Sequence, residues 1–167
     1  EMSVTDIVKA TESLDMDDLA DIVPELPESA LHNLLLTLDH KHRDRLKQVL
    51  SYPEDSAGGL MNIDMITVRD DVHVRTVIRY LRLLKEMPID TDQVFVVDRS
   101  FQYIGAIYIS TLLTNEAEQS IKPLINSELK PVLAKTSEAE VASLFEQRDL
   151  ISAPVVDENN QLIGRIT

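Results

Sequence analysis

Over the first fifty residues the apolar positions recur three and four apart; beyond them, short continuous apolar runs alternate with longer helical stripes. Ser3 or Thr5 is placed to cap a helix carrying Ile7, Val8 and Ala10. A second helix begins near Asp15, carries Leu19, Ile22 and Val23, and is broken by Pro24 and Pro27. Ala30, Leu31, Leu34, Leu35 and Leu38 mark a third, and Leu46, Val49 and Leu50 a fourth. Helices this short do not each bury an apolar stripe alone, so they are predicted to stack as an antiparallel solenoid or small bundle. After Pro53 the pattern predicts a strand over 65–68 and a helix over 72–86 with Val74, Val77, Ile78, Leu81 and Leu84 inward. A buried strand over 94–97, a turn at Asp98-Arg99-Ser100, a strand over 104–109 and a short helix capped by Ser110 follow.

That second pattern occurs twice. Leu60-Met61-Asn62 returns 64 residues on as Leu124-Ile125-Asn126. Val96-Val97-Asp98 and Gln102-Tyr103-Ile104-Gly105 return 59 residues on as Val155-Val156-Asp157 and Gln161-Leu162-Ile163-Gly164. The difference of five places an insertion at Met87-Pro88-Ile89-Asp90-Thr91, between helix and strand, where extra loop is cheap. Each unit forms a sheet with one face to cover, so the two copies are expected to pack against each other.

Composition narrows the chemistry. The 167 residues are 44% hydrophobic and 27% charged, a globular rather than a disordered balance. Aromatics are only 4% with no Trp, so Leu, Ile, Val and Met must build the core. The length suits one large or two small domains. The absence of cysteine excludes disulfides, zinc–thiolate sites, iron–sulfur clusters and thiol nucleophiles. Sixteen basic against twenty-nine acidic residues give a net charge of −13, which argues against a nucleic-acid partner. No run approaches the ~20 apolar residues of a membrane span, and no signal peptide is present. The chain opens on Glu1 and stops at Gly164-Arg165-Ile166-Thr167 within a predicted strand, which points to a piece of a longer protein.

The repeated unit resembles a CBS domain, through Val-Val-Asp, the Gln-hydrophobic-Ile-Gly return strand and Ala153-Pro154-Val155-Val156. The run Tyr52-Pro53-Glu54-Asp55-Ser56-Ala57-Gly58-Gly59-Leu60-Met61 resembles the junction at which MgtE-family magnesium channels join a helical N domain to a CBS pair. Leu14-Asp15-Met16-Asp17-Asp18-Leu19-Ala20-Asp21 is similar to an acidic helix of that N domain. The resemblance implies an α+β chain, a short helical bundle followed by two β-α-β-β-α CBS repeats. It divides the chain into an N-type domain at 1–52, a junction at 53–64, and repeats at 65–123 and 124–167, the second cut short in its last strand and helix. It further implies a regulatory module on the cytoplasmic side of the cell membrane, homodimeric through its CBS domains, controlling its own transmembrane pore. In the family, Mg²⁺ bridges acidic faces and holds that pore shut.

The residues allow such chemistry. Asp17 and Asp21 stand at i, i+4 with Asp18 beside them, a like-charge spacing that destabilises an isolated helix by a few tenths of a kcal/mol. Mg²⁺ takes one or two carboxylates and keeps several waters, so two facing acidic surfaces suffice. Helix capping is the alternative reading of the same aspartates. The resemblance implies a partner face at Glu138 and Glu140; a family acidic position falls at or beside Ala139, so the carboxylate is displaced by one residue. At Glu54 and Asp55 a structural role is expected, with Asp as a local cap and the glycines supplying unusual φ.

CBS pairs commonly bind adenosine nucleotides such as ATP, holding the ribose with a hydroxyl residue after the last strand and an Asp three residues on. Here those positions are Tyr108 and Thr111 in the first repeat, which lose the pattern, and Thr167 in the second. A nucleotide-sensing adaptor and an inert dimerisation scaffold are thus the alternatives to Mg²⁺ sensing. His32, His40, His42 and His73 show no converging ligand spacing. No P-loop, dinucleotide fingerprint or Ser-His-Asp arrangement occurs, so no enzymatic role is expected.

Overall fold

In a computed structural model, the structure describes residues 23, 26, 28–37 and 40–167. The two helices expected before Pro24 lie outside the described residues, apart from Val23, which is buried. Helix α1 (Glu28–Thr37) buries Ala30 and Leu34, and α2 (His40–Leu50) buries Leu46 and Val49. Leu50, expected on the apolar stripe, is exposed because the helix ends there and the Tyr52 N–H turns back to the Val49 carbonyl.

A short helix α3 (Ala57–Leu60) follows, and its cap is Ser56, not Asp55. The Ser56 hydroxyl accepts from the Gly59 N–H and donates to the Pro53 carbonyl at 2.6 Å. Neither glycine has positive φ, so the expectation of unusual backbone at this turn is corrected. A side chain on Gly58 would collide with the Tyr52 ring, and one on Gly59 with the Pro53–Glu54 backbone. Close approach is what selects glycine here.

The repeats are two three-stranded sheets. The first contains β1 (Thr67–Arg69), helix α4 (Val74–Leu83), β2 (Gln93–Val97), β3 (Tyr103–Tyr108) and α5 (Ile109–Thr114). The second contains β4 (Val132–Leu133), α6 (Glu138–Arg148), β5 (Ala153–Val156) and β6 (Leu162–Ile166). In each, the first strand is parallel to the second and the third antiparallel to it. β2 and β5 are buried along their whole length, as their unbroken apolar runs require. Several boundaries differ from expectation: β1 runs 67–69 rather than 65–68, and α4 runs 74–83 rather than 72–86, ending where the Leu84 N–H turns back to the Leu81 carbonyl. Ile109 enters α5 rather than extending β3, and Ser110 lies inside that helix instead of capping it; Tyr108 holds the cap position without a side-chain bond.

The repeat in sequence is a repeat in detail. Asp98 Oδ1 accepts from the backbone N–H of Ser100 and Gln102, and Asp157 Oδ1 from those of Asn159 and Gln161. Phe101 and Asn160 take positive φ at matching turn positions. The two turn tips join: Tyr103 N–H donates to the Asn160 carbonyl and Leu162 N–H to the Phe101 carbonyl. Near the middle, Gln93 Nε2 donates to Ser152 Oγ at 2.9 Å, between positions equivalent in the two copies.

The lead-in to each repeat crosses to the other repeat. Asn62 pairs with Arg165 on β6, while Asn126 pairs with Ala106 on β3, each through two backbone hydrogen bonds. Met61 and Ile63 are therefore buried in one core with Leu34, Leu46 and Val49 of the helical segment and Val132, Val141 and Val155 of the second repeat. The first repeat has its own core around Val68, Val77, Val94 and Ile107. Phe95, Tyr103, Leu129 and Val156 form a third cluster, drawn from both repeats.

Candidate functional site

Among the described residues, two of the places that combine polar groups with access bear on the expected sites. The first is the N-terminus of α6, where the junction docks. Ala57 N–H donates to the Thr136 carbonyl, Gly58 N–H to that of Ala134, and Glu138 N–H to that of Asp55 at 2.8 Å. Asp55 is thereby held beside Glu138, and the side chains of both, like that of Glu54, are exposed. Ser137 caps α6, its Oγ accepting from Glu140 N–H, and Glu140 Oε2 accepts in return from Ser137 N–H and Oγ. The Glu140 carboxylate thus closes a capping box, while that of Glu138 faces outward. Asp17, Asp18 and Asp21 lie outside the described residues. Among the described residues no group of three His, Cys, Asp or Glu is placed to hold a metal ion, so Glu138 and Glu140 would need carboxylates from elsewhere.

The second place is a cleft of about 420 Å³ between the first lead-in, the end of α4 and the inserted loop. Asn62, Asp64, Met65, Tyr80, Met87 and Ile89 are among its lining residues. The flank is fixed by Arg165, only 4% exposed on β6. Its Nε donates to the Asp64 carbonyl at 3.1 Å, and its two terminal nitrogens donate to the carbonyls of Asp90 and Ile89. The insertion that broke the repeat spacing is thus tied to the return strand of the other repeat. Thr167 lies two residues beyond Arg165 and is exposed. Tyr108 and Thr111 stand elsewhere, at the start of α5, where the Thr111 carbonyl accepts from Asn115 Nδ2.

Arg165 was not among the residues singled out from sequence. Its signal was available: the equivalent residue of the first repeat is Ala106, and an arginine in an apolar return strand needs partners. His32 and His73 lie on different elements. His32 is exposed, and His73 caps α4 through its backbone only, pairing with Ser120. His40 and His42 lie on α2, their side chains outside the described set.

Comparison with known proteins agrees with this architecture. Residues 1–55 match the family model of the MgtE intracellular N domain, and residues 121–167 that of the CBS domain. The magnesium transporter MgtE of Thermus thermophilus is 30% identical over 91% of this chain and 34% of its own length. The magnesium transporter MgtE of Bacillus subtilis is 28% identical over 95% of this chain and 35% of its own. The chain therefore spans about a third of the length of these curated relatives. The crystal structure of the cytosolic domain of the Mg²⁺ channel MgtE in complex with ATP is similar over 100% of this chain and 73% of that one, at 26% identity and a TM-score of 0.88. Among the described residues no helix is long and apolar enough to cross a membrane.

Proposed function

Because the chain corresponds to the cytosolic part of the MgtE family, we propose that it is the non-enzymatic regulatory module of a dimeric magnesium transporter. In this reading it senses Mg²⁺ on the cytoplasmic side of the membrane and sets the state of a pore carried by the remainder of the protein. One observation supports this above the others. The likeness to the cytosolic domain of a Mg²⁺ channel runs through helices, junction and both repeats, not through the CBS fold alone.

The mechanism follows from charge. With a net charge of −13 per chain, acidic faces repel at low magnesium. Divalent ions shared between Asp17, Asp18 and Asp21 on one face and Glu138 and Glu140 on another offset that repulsion and favour a closed arrangement. Moving the population from 1:99 to 99:1 requires about 5.5 kcal/mol of differential binding, which several weak sites supply jointly. In this scheme the N-type domain is 1–52, the junction 53–64, and the repeats 65–123 and 124–167.

Small-angle scattering at fixed ionic strength, with Mg²⁺ titrated to about 20 mM and Ca²⁺ and Na⁺ as controls, tests the reading. The expected result is a saturable fall in radius of gyration, lost in Asp17→Asn/Asp21→Asn. A response no larger than ionic screening would sink it. The cleft supports a second reading, in which an adenosine nucleotide is the signal, since the relative described above was crystallised with ATP. A nucleotide-dependent thermal shift at constant magnesium would favour that alternative, and silence toward both ligands would leave a dimerisation scaffold.

A further inference from the structure

Two departures from the internal repeat converge on one cleft. The insertion Met87-Pro88-Ile89-Asp90-Thr91 has no counterpart in the second repeat, and Arg165 stands where the first repeat has Ala106. The insertion supplies Met87, Pro88 and Ile89 to the wall of the cleft of about 420 Å³ beside α4, and Arg165 clamps it there through the carbonyls of Ile89 and Asp90. Asp90 is held at φ 55°, a left-handed conformation uncommon outside glycine. Ordering an added loop costs conformational entropy, and burying a guanidinium costs desolvation. Yet Met87 and Ile89 belong to none of the three buried clusters. What the loop and its clamp produce together is the shape of the cleft.

That cleft selects by charge. Among the described residues its charged lining is Asp64 and Glu86, and no Lys, Arg or His lines it. The Arg165 guanidinium on the flank directs its donors at three backbone carbonyls, so a phosphate would meet carboxylates there and no cation. The remaining wall is aromatic and apolar, with Tyr80 41%, Met87 47% and Ile89 72% exposed. A carboxylate and an aromatic ring both attract positive charge, and thioether and aliphatic side chains accommodate hydrocarbon. Mg²⁺ suits such a wall less well, because it keeps several waters and gains nothing from apolar contact.

We propose that this cleft binds an organic cation, an ammonium or guanidinium carried on a hydrocarbon body, with Glu86 and Tyr80 holding the charge and Met87 and Ile89 covering the hydrocarbon. The ligand is opposite in charge to a nucleotide, and its site is separate from the acidic faces assigned to Mg²⁺ above. The test is run in EDTA, so that failure here and failure of metal sensing are distinguishable.

The experiment is an amide-resolved NMR titration of the chain at fixed ionic strength, with choline and agmatine as probes. The uncharged carbon isostere of choline and ATP serve as comparisons. The expected result is a saturable shift of amides within 80–89 on adding choline or agmatine, and none with the isostere. The apparent Kd should rise at least tenfold in Glu86→Gln and in Tyr80→Leu. Both side chains are exposed, so the rest of the spectrum should stay in place and verify the fold. Absence of a saturable shift with both cations would overturn the proposal, as would an isostere that binds as tightly as choline. Shifts indifferent to Glu86→Gln and Tyr80→Leu would also overturn it. ATP saturating the same amides more tightly than either cation would return the cleft to the nucleotide reading and overturn the proposal as well.

Discussion

Gly105→Ala tests whether the crossed lead-ins hold the two repeats together. A Cβ at residue 105 would lie 2.6 Å from the Asn126 carbonyl oxygen and 2.6 Å from Ile125 Cγ2. The obstacle is backbone, and that backbone is fixed by two hydrogen bonds, Ala106 N–H to Asn126 at 3.1 Å and Asn126 N–H to Ala106 at 2.8 Å. Overpacking by one methyl costs about 1–3 kcal/mol. Weakening two backbone bonds adds about 0.5 kcal/mol each, for a total near 3 kcal/mol at the middle of the overpacking range. At the second repeat the same substitution meets a different neighbour. A Cβ on Gly164 would lie 2.6 Å from Met61 Sδ, 2.9 Å from its Cγ and 3.1 Å from the Asn62 carbonyl oxygen, so the closest atoms belong to an unbranched side chain that can rotate and the backbone need give only slightly. Gly164→Ala is therefore expected to cost about 1 kcal/mol, although the sequence motif is the same. Urea unfolding with a shared m-value reads the difference, and thermal melting should place Gly105→Ala about 6–12 °C below wild type. If Gly105→Ala lies within about 0.5 kcal/mol of wild type, or if Gly164→Ala is the more harmful, the crossed lead-in is not the fixed obstacle argued here.

Two further outcomes are expected. Arg165→Met removes the donors shared by the Asp64, Ile89 and Asp90 carbonyls and should destabilise by about 2–4 kcal/mol, with faster amide hydrogen exchange confined first to the loop 84–90; unchanged exchange there would refute the latch. Asp71 accepts two hydrogen bonds from Arg69 and one from Arg99, and the Arg69 bonds bring its carboxyl down to about 2. Since the folded value is below the unfolded one of about 3.9, the contribution is complete above roughly pH 5 and is lost as pH falls toward 2. Urea midpoints of Asp71→Asn should accordingly approach those of wild type at pH 2.5 and fall below them at pH 6.5; a constant offset across that range would count against the assignment.

Much of this was legible without coordinates. Period-3.6 stripes announced α1, α2 and α4, because an amphipathic helix must place its apolar residues on one side whatever it packs against. A continuous apolar run announced β2, the internal repeat carried that reading to β5, and the repeated Asp before each turn announced the two hairpins, since an Asp side chain binds backbone two residues on regardless of context. The five-residue insertion was found at its place between α4 and β2 from spacing alone. Short-range chemistry of this kind is written locally.

What sequence could not settle was partnership at long range. That Met61 and Ile63 are buried with the second repeat rather than with the strand they precede is decided by which sheet edge is free, a property of two assembled units. Gly58 and Gly59 read as turn glycines but are selected by the Tyr52 ring and the Pro53 backbone, which approach only once α2 and α3 have packed. Ser110 read as a cap, yet the end of β3 sets where α5 begins. Arg165, an expensive residue to bury, becomes tolerable because carbonyls from two distant segments converge on it. Local preference and periodicity determined the elements; the closing of one repeat over the other decided which residues they bury and which they leave for function.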